Sequence, residues 1–212
     1  MRILRVLALI ISNFLPGMYV ALVSFHQTVI PFKLMITLAA SRNGVPFSPF
    51  AEALLMIVAF ELLREAGVRM PRSIGQALSI VGAIVLGEAS VAAGLASNLM
   101  MIIVAITAVC SFIVPPLIRA TMLLRFVYLI AVNFLGFLGI AFMSVAVFIH
   151  LCRLRSFGVP YMAPFSPLTV SDLKDSFIVV PVWAMLTRPK ILRQENSKGV
   201  TGTRRQEVRL KR

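Results

Sequence analysis

The stretch Ala89–Ile118, ASVAAGLASNLMMIIVAITAVCSFIVPPLI, contains no Asp, Glu, Lys or Arg. A second uncharged stretch, Phe126–Cys152 (FVYLIAVNFLGFLGIAFMSVAVFIHLC), follows a short segment holding Arg119 and Arg125. A helix crosses the hydrocarbon of a bilayer with about 20 apolar residues, and both stretches are long enough to supply one. The whole chain repeats the message, with 59% hydrophobic and 14% charged residues over 212 positions. A soluble domain averages roughly 45–50% and about 25%. So little polar surface cannot cover so much apolar surface, and the sequence predicts an all-α, polytopic membrane protein.

The formal charge of +13 would suggest nucleic acid in a soluble protein, but its distribution argues against that partner. Twelve of the 21 Lys and Arg follow His150, against four acidic residues there (Asp172, Asp175, Glu195 and Glu207), a net +8. Basic residues gathered beside a spanning helix mark the cytoplasmic side. The expected location is a cell membrane, with multiple passes and a cytoplasmic C-terminus, and nucleic acid is not an expected partner. The terminal NSKGVTGTRRQEVRLKR either signals topology or docks on anionic lipid, at about 1 kcal/mol per basic residue near the surface.

Four segments read as spans: Val6–Phe25, Ile74–Gly94, Leu99–Val114 and Phe126–Leu151. Pro16 and Gly17 should kink the first, which is tolerable where a neighbour satisfies the freed carbonyl. The apolar patch Leu34–Ala40 reads as interfacial or re-entrant. Phe50–Ala66 is helical by pattern, yet only Ala53–Phe60 is uncharged between Glu52 and Glu61, too short to cross. Helical spacing pairs Glu61 with Arg64 and Glu65 with Arg69. Four spans put Arg2, Arg5 and the tail inside but leave Arg64, Arg69, Arg72, Arg119 and Arg125 outside. A half-helix from Phe50 to Phe60 that enters without crossing brings the first three inside, and parity then requires another re-entrant segment. The expected organisation is a transmembrane helical domain (1–151), a cytoplasmic juxtamembrane segment (152–195) and a basic disordered tail (196–212).

Glu88 is the sharpest candidate for an ion path, because an ionisable group inside a span is costly and faces protein or water. The competing reading is a buried acid hydrogen-bonded to Ser90 or Asn98. Glu52, Glu61, Arg64, Glu65 and Arg69 form the one dense charged constellation, readable as a structural network or as polar groups along an ion path. Gly75, Ser79, Ala83 and Gly87 recur every fourth residue and make a small-residue face for close helix contact. Cys110 and Cys152 form no disulfide or metal pattern. His26 and His150 sit at span edges, and neither HExxH nor GxSxG occurs. No metal, cofactor or enzymatic activity is expected.

SRNGVPFSPFAEALLMIVAFELLREAGVRMP (41–71) and GQALSIVGAIVLGEASVAAGLASNLMMIIVAITAVCSFIVPP (75–116) carry a more specific message, as do LPGMYVALVSFHQTVIP (15–31), RSFGVPYMAPFSPLTVSDLKD (155–175) and TRP (187–189). Together they resemble the membrane half of the GerA-type spore germination proteins, a family that includes germinant receptor A subunits and stage V sporulation protein AF. Thr28 stands where the family would place an acidic residue, and VVPVW (179–183) lacks an arginine before its proline. The family usually carries a large cytoplasmic N-terminal domain ahead of this region, so the resemblance implies a truncated or split member.

The resemblance also implies a membrane subunit of a germinant receptor complex, in the inner membrane of the spore. It would oligomerise into a nutrient-gated ion channel with a transporter-like B subunit and a lipoprotein C subunit. A secondary transporter built around the breaks at Pro16, Pro49 and Pro71, and a non-conducting scaffold, are the rival readings.

Overall fold

A computed structural model describes residues 2–156, 159–162 and 165. The described residues form seven α-helices: α1 (Arg2–Ser24), α2 (Phe32–Ser41), α3 (Pro49–Arg69), α4 (Arg72–Ala92), α5 (Asn98–Phe112), α6 (Ile118–Leu135) and α7 (Phe137–Arg153). A minimal antiparallel pair follows, β1 (Arg155–Ser156) with β2 (Val159–Pro160). The chain divides into a unit of residues Ile3–Ala146 and a smaller one that starts at Val147. The juxtamembrane stretch beyond residue 165 and the basic tail at 196–212 lie outside the described residues.

The all-α expectation holds, but the four expected spans do not all emerge as full-length helices. Two described helical stretches, Ile3–Ser24 and Pro115–Leu135, are long and apolar enough to cross a membrane. The stretch Phe126–Leu151 is not one helix. Gly136, at φ 60, takes a left-handed conformation open to glycine, and the chain re-enters helix at Phe137. Helix α5 is apolar but has 15 residues, or roughly 22 Å at 1.5 Å per residue.

A second correction concerns α3. No half-helix ends at Phe60, because the helix runs unbroken for 21 residues from Pro49 to Arg69. Its start is well specified: Pro49 occupies the first turn, and the Ser48 side chain accepts a hydrogen bond from the Ala51 amide at 3.3 Å. Two acids that sequence reasoning treated as barriers to a membrane helix, Glu52 and Glu61, are buried with partners.

The core of the first unit gathers Tyr19, Val20 and Ala21 of α1, Ala53, Met56 and Ile57 of α3, Met100 and Val104 of α5, and Leu129 and Val132 of α6. Helix α3 packs against α4, α5 and α6. Outward, Leu4, Ile10, Val109, Phe134 and Phe142 are among many large apolar side chains left exposed. Apolar surface on that scale calls for a covering phase, and hydrocarbon is the one that the composition suggests.

Candidate functional site

The first polar centre originates in a proline. Pro16 lies inside α1 and brings no N–H, so the carbonyl of Ser12, four residues earlier, has no helical donor. Arg125 of α6 supplies one, with Nε donating to the Ser12 oxygen at 3.0 Å. The same guanidinium donates through Nη1 to Oε1 of Glu61 on α3 at 3.1 Å. Arg64, one turn along α3, pairs with the other carboxylate oxygen of Glu61. Arg125 is 2% exposed and Glu61 4%, so water contributes little to either charge. Three helices are tied at one point, and the centre holds two cations against one anion. Nη2 of Arg125 and Nη1 of Arg64 are buried without a hydrogen-bond partner.

The second centre is built on Glu52, which is 0% exposed. Its Oε1 accepts the Ser97 amide at 2.7 Å and the Ser97 hydroxyl at 2.6 Å. Ser97 caps α5, and its Oγ accepts the Met100 amide at 3.3 Å. Having given its only proton to Glu52, that hydroxyl is left to accept from Tyr19, whose OH lies 3.3 Å away. The carboxylate therefore sits at the positive end of a helix dipole, an arrangement worth about 0.3–1 kcal/mol when exposed and up to ~2 when partly buried. Arg42 completes it, with Nη2 3.5 Å from Oε2 while also donating to the Phe47 carbonyl at 3.0 Å.

The other candidates divide sharply. Arg69 and Glu65 form the expected i,i+4 pair at 2.8 Å, exposed on both sides. Glu88 is exposed on α4 and has no ion-pair or hydrogen-bond partner among the described residues, rather than being buried against Ser90 or Asn98. Of the small-residue face, Gly75 meets the Gly67 backbone of α3 so closely that a Cβ would collide with its carbonyl, and a Cβ at Gly87 would lie 3.3 Å from the Met101 methyl of α5. The side chains of Ser79 and Ala83 lie outside those described. The His26 ring meets Phe137 at a tilt of 60°, ring centres 4.9 Å apart. Among the described residues, no group of His, Cys, Asp and Glu is arranged to hold a metal.

Sequence reasoning found both acids but missed the groups that complete their sites. Arg125 reads in the sequence as a loop cation governing topology, whereas it is a buried residue of α6. Its partner was partly legible, since Pro16 predicts an orphaned carbonyl at Ser12. Tyr19, Arg42 and Ser97 carry no local signal that they meet Glu52. Because the charges of Arg64 and Arg125 are engaged internally, they are poor guides to membrane orientation, and two of the five arginines behind the parity conflict lose their weight.

Chemically, the one hydroxyl beside a carboxylate in these centres, Ser97 against Glu52, is buried and engaged in capping α5. Both acids are engaged by donors that fix helices. The exposed carboxylate of Glu88 remains available to another polypeptide or to an ion.

Residues 1–191 match the family described as Bacillus/Clostridium GerA spore germination protein. The chain is 50% identical over 197 residues to Spore germination protein KA of Bacillus subtilis, covering 92% of this chain and 36% of that protein. It is 41% identical over 199 residues to Spore germination protein GerLA of Bacillus cereus, covering 93% and 40% respectively. Uncharacterized membrane protein YfkQ of Bacillus subtilis is 40% identical over 208 residues, covering 97% and 40%. This chain thus spans about two fifths of the length of these relatives. No solved structure matches it. The chain belongs to the GerA family of spore germination proteins.

Proposed function

We propose that this chain is a membrane subunit of a germinant receptor complex in the inner membrane of the spore, where it contributes to an oligomeric, nutrient-gated ion channel. The observation that carries this reading is the 50% identity to Spore germination protein KA over 92% of the chain. Its partners are further copies of itself, a transporter-like B subunit, a lipoprotein C subunit and membrane lipid. The 12 Lys and Arg that follow His150 support a cytoplasmic C-terminus.

The division among the acids supports a gating role here and nutrient sensing elsewhere. Glu52 and Glu61 lock helices together and are not free to serve ions. Glu88 is exposed on α4 and has no ion-pair or hydrogen-bond partner among the described residues. A carboxylate on a membrane helix faces protein or water, which makes its face of α4 the place for a cation path or a neighbouring subunit. The small-residue positions Gly75 and Gly87 bring α4 close to α3 and α5.

The test is deletion of the gene in its sporulating host, followed by measurement of nutrient-triggered germination and early cation release. The reading predicts that both are slowed, and that Glu88→Gln alone reduces cation release in a complex that still assembles. Normal kinetics of both after deletion would contradict it. The density of structural polar locks favours a second reading, a non-conducting scaffold. That reading predicts assembly with partner subunits and no conductance in reconstituted membranes.

A further inference from the structure

Between α3, α4 and α5 lies a cleft of about 850 Å³, within the range of about 300–1,000 Å³ typical of small-molecule sites. Phe60 and Leu63 of α3 face Met101, Val104 and Ala108 of α5 across it. Along α3 the lining runs from Met56 to Met70, roughly 21 Å at 1.5 Å per residue. One leaflet of hydrocarbon is about half of a ~30 Å core, so the cleft has the length of a lipid chain rather than of a compact solute. Apart from Arg64, its described lining is apolar and holds no water strongly.

A single charged side chain interrupts that lining. Arg64 is the only ionisable residue among the described lining residues, and it lies roughly 12 Å along α3 from Met56 at 1.5 Å per residue, past the midpoint of that wall. Its Nη2 pairs with Glu61, while Nη1 is buried with no hydrogen-bond partner. Glu61 is already shared with Arg125, so the centre carries one positive charge in excess. An excess cation deprived of water is costly unless an anion meets it. An apolar wall of roughly 12 Å from Met56 to Arg64, ending on a guanidinium that lacks a full set of partners, describes the complement of an anionic amphiphile whose acyl chain spans most of one leaflet.

We propose that the cleft binds one anionic phospholipid, with an acyl chain along α3 and α5 and the headgroup paired to Arg64. The lipid supplies the charge that Glu61 cannot provide to two arginines. The site thereby makes the α3–α4–α5 contact dependent on lipid composition, and it is separate from any ion path at Glu88.

The full chain, purified in detergent and equilibrated with mixed phosphatidylglycerol and phosphatidylcholine, tests this by native mass spectrometry of the retained lipid. The expected preference for phosphatidylglycerol is about tenfold, the scale of one charge-assisted pair. Arg64→Gln should bring it close to parity while helical content and elution volume stay unchanged. Ala105→Phe, which fills the cleft without touching the charges, should reduce retention of both lipids, and it keeps the test decisive if Arg64→Gln fails to fold. Glu88→Gln should change nothing. Equal retention of the two lipids by the native chain would overturn the proposal. So would an undiminished preference in Arg64→Gln, or retention unaffected by Ala105→Phe.

Discussion

Glu52 and Glu61 are the same residue type on the same helix, nine positions apart and therefore on opposite sides of it at 100° per residue. Their surroundings solve the burial of a carboxylate in different ways. Glu52 is met by a backbone amide, a hydroxyl and one arginine, all gathered at the start of α5. Glu61 is met by two guanidiniums from α3 and α6, one of which also repairs the backbone of α1. The first solution is neutral and fastens a loop to a helix end. The second carries excess positive charge and joins three helices. A charged residue need not end an apolar helix when its partners are built into neighbouring helices, and the number of helices so joined sets the cost of losing them.

That contrast predicts the largest loss at Arg125. Arg125→Met strands the Ser12 carbonyl and takes one of two guanidiniums from Glu61, which keeps Arg64, and two buried acceptors each short of a donor at about 1–3 kcal/mol should together make this the largest loss. Denaturant-induced unfolding of the purified chain should show this directly. Glu52→Gln retains an acceptor for Ser97 but weakens the charge-assisted bonds, and a smaller cost of about 1–3 kcal/mol is expected in the same assay. Equal losses from the two substitutions would erase the distinction between the centres.

Pro16→Ala sharpens it further. The new amide can donate to Ser12, so Arg125→Met should cost less in that background, with a coupling of about 1 kcal/mol in a double-mutant cycle. Strict additivity would mean that the Arg125 contact to α1 contributes nothing. The smallest effect belongs to Glu65→Ala, which removes a solvent-facing helical pair worth about 0.3–0.5 kcal/mol and should barely move the transition.

Much of this fold was legible because hydropathy and turn chemistry act locally. The uncharged runs, the break near Pro115, the pairing of Glu65 with Arg69 and the kink-prone Pro16 all follow from neighbours in sequence. The division of Phe126–Leu151 at Gly136 was not, since a glycine in an apolar run signals equally well a packing contact or a helix end. The helical pattern of Phe50–Ala66 was legible, but the burial of its acids was not. Whether Glu61 can enter the core depends on Arg125, 64 residues away, and no local pattern announces that meeting. The same distance kept Tyr19 and Ser97 apart from Glu52 in the sequence and made Arg125 look like a topology signal.

The acids of α3 at Glu52 and Glu61 are locked, whereas Glu88 of α4 is exposed. Treatment of native membranes with a water-soluble carbodiimide and an amine, followed by peptide mass spectrometry, compares all four acids of the first unit without any substitution. The prediction is modification of Glu88 and Glu65 with Glu52 and Glu61 spared. Modification of Glu61 with Glu88 untouched would contradict it.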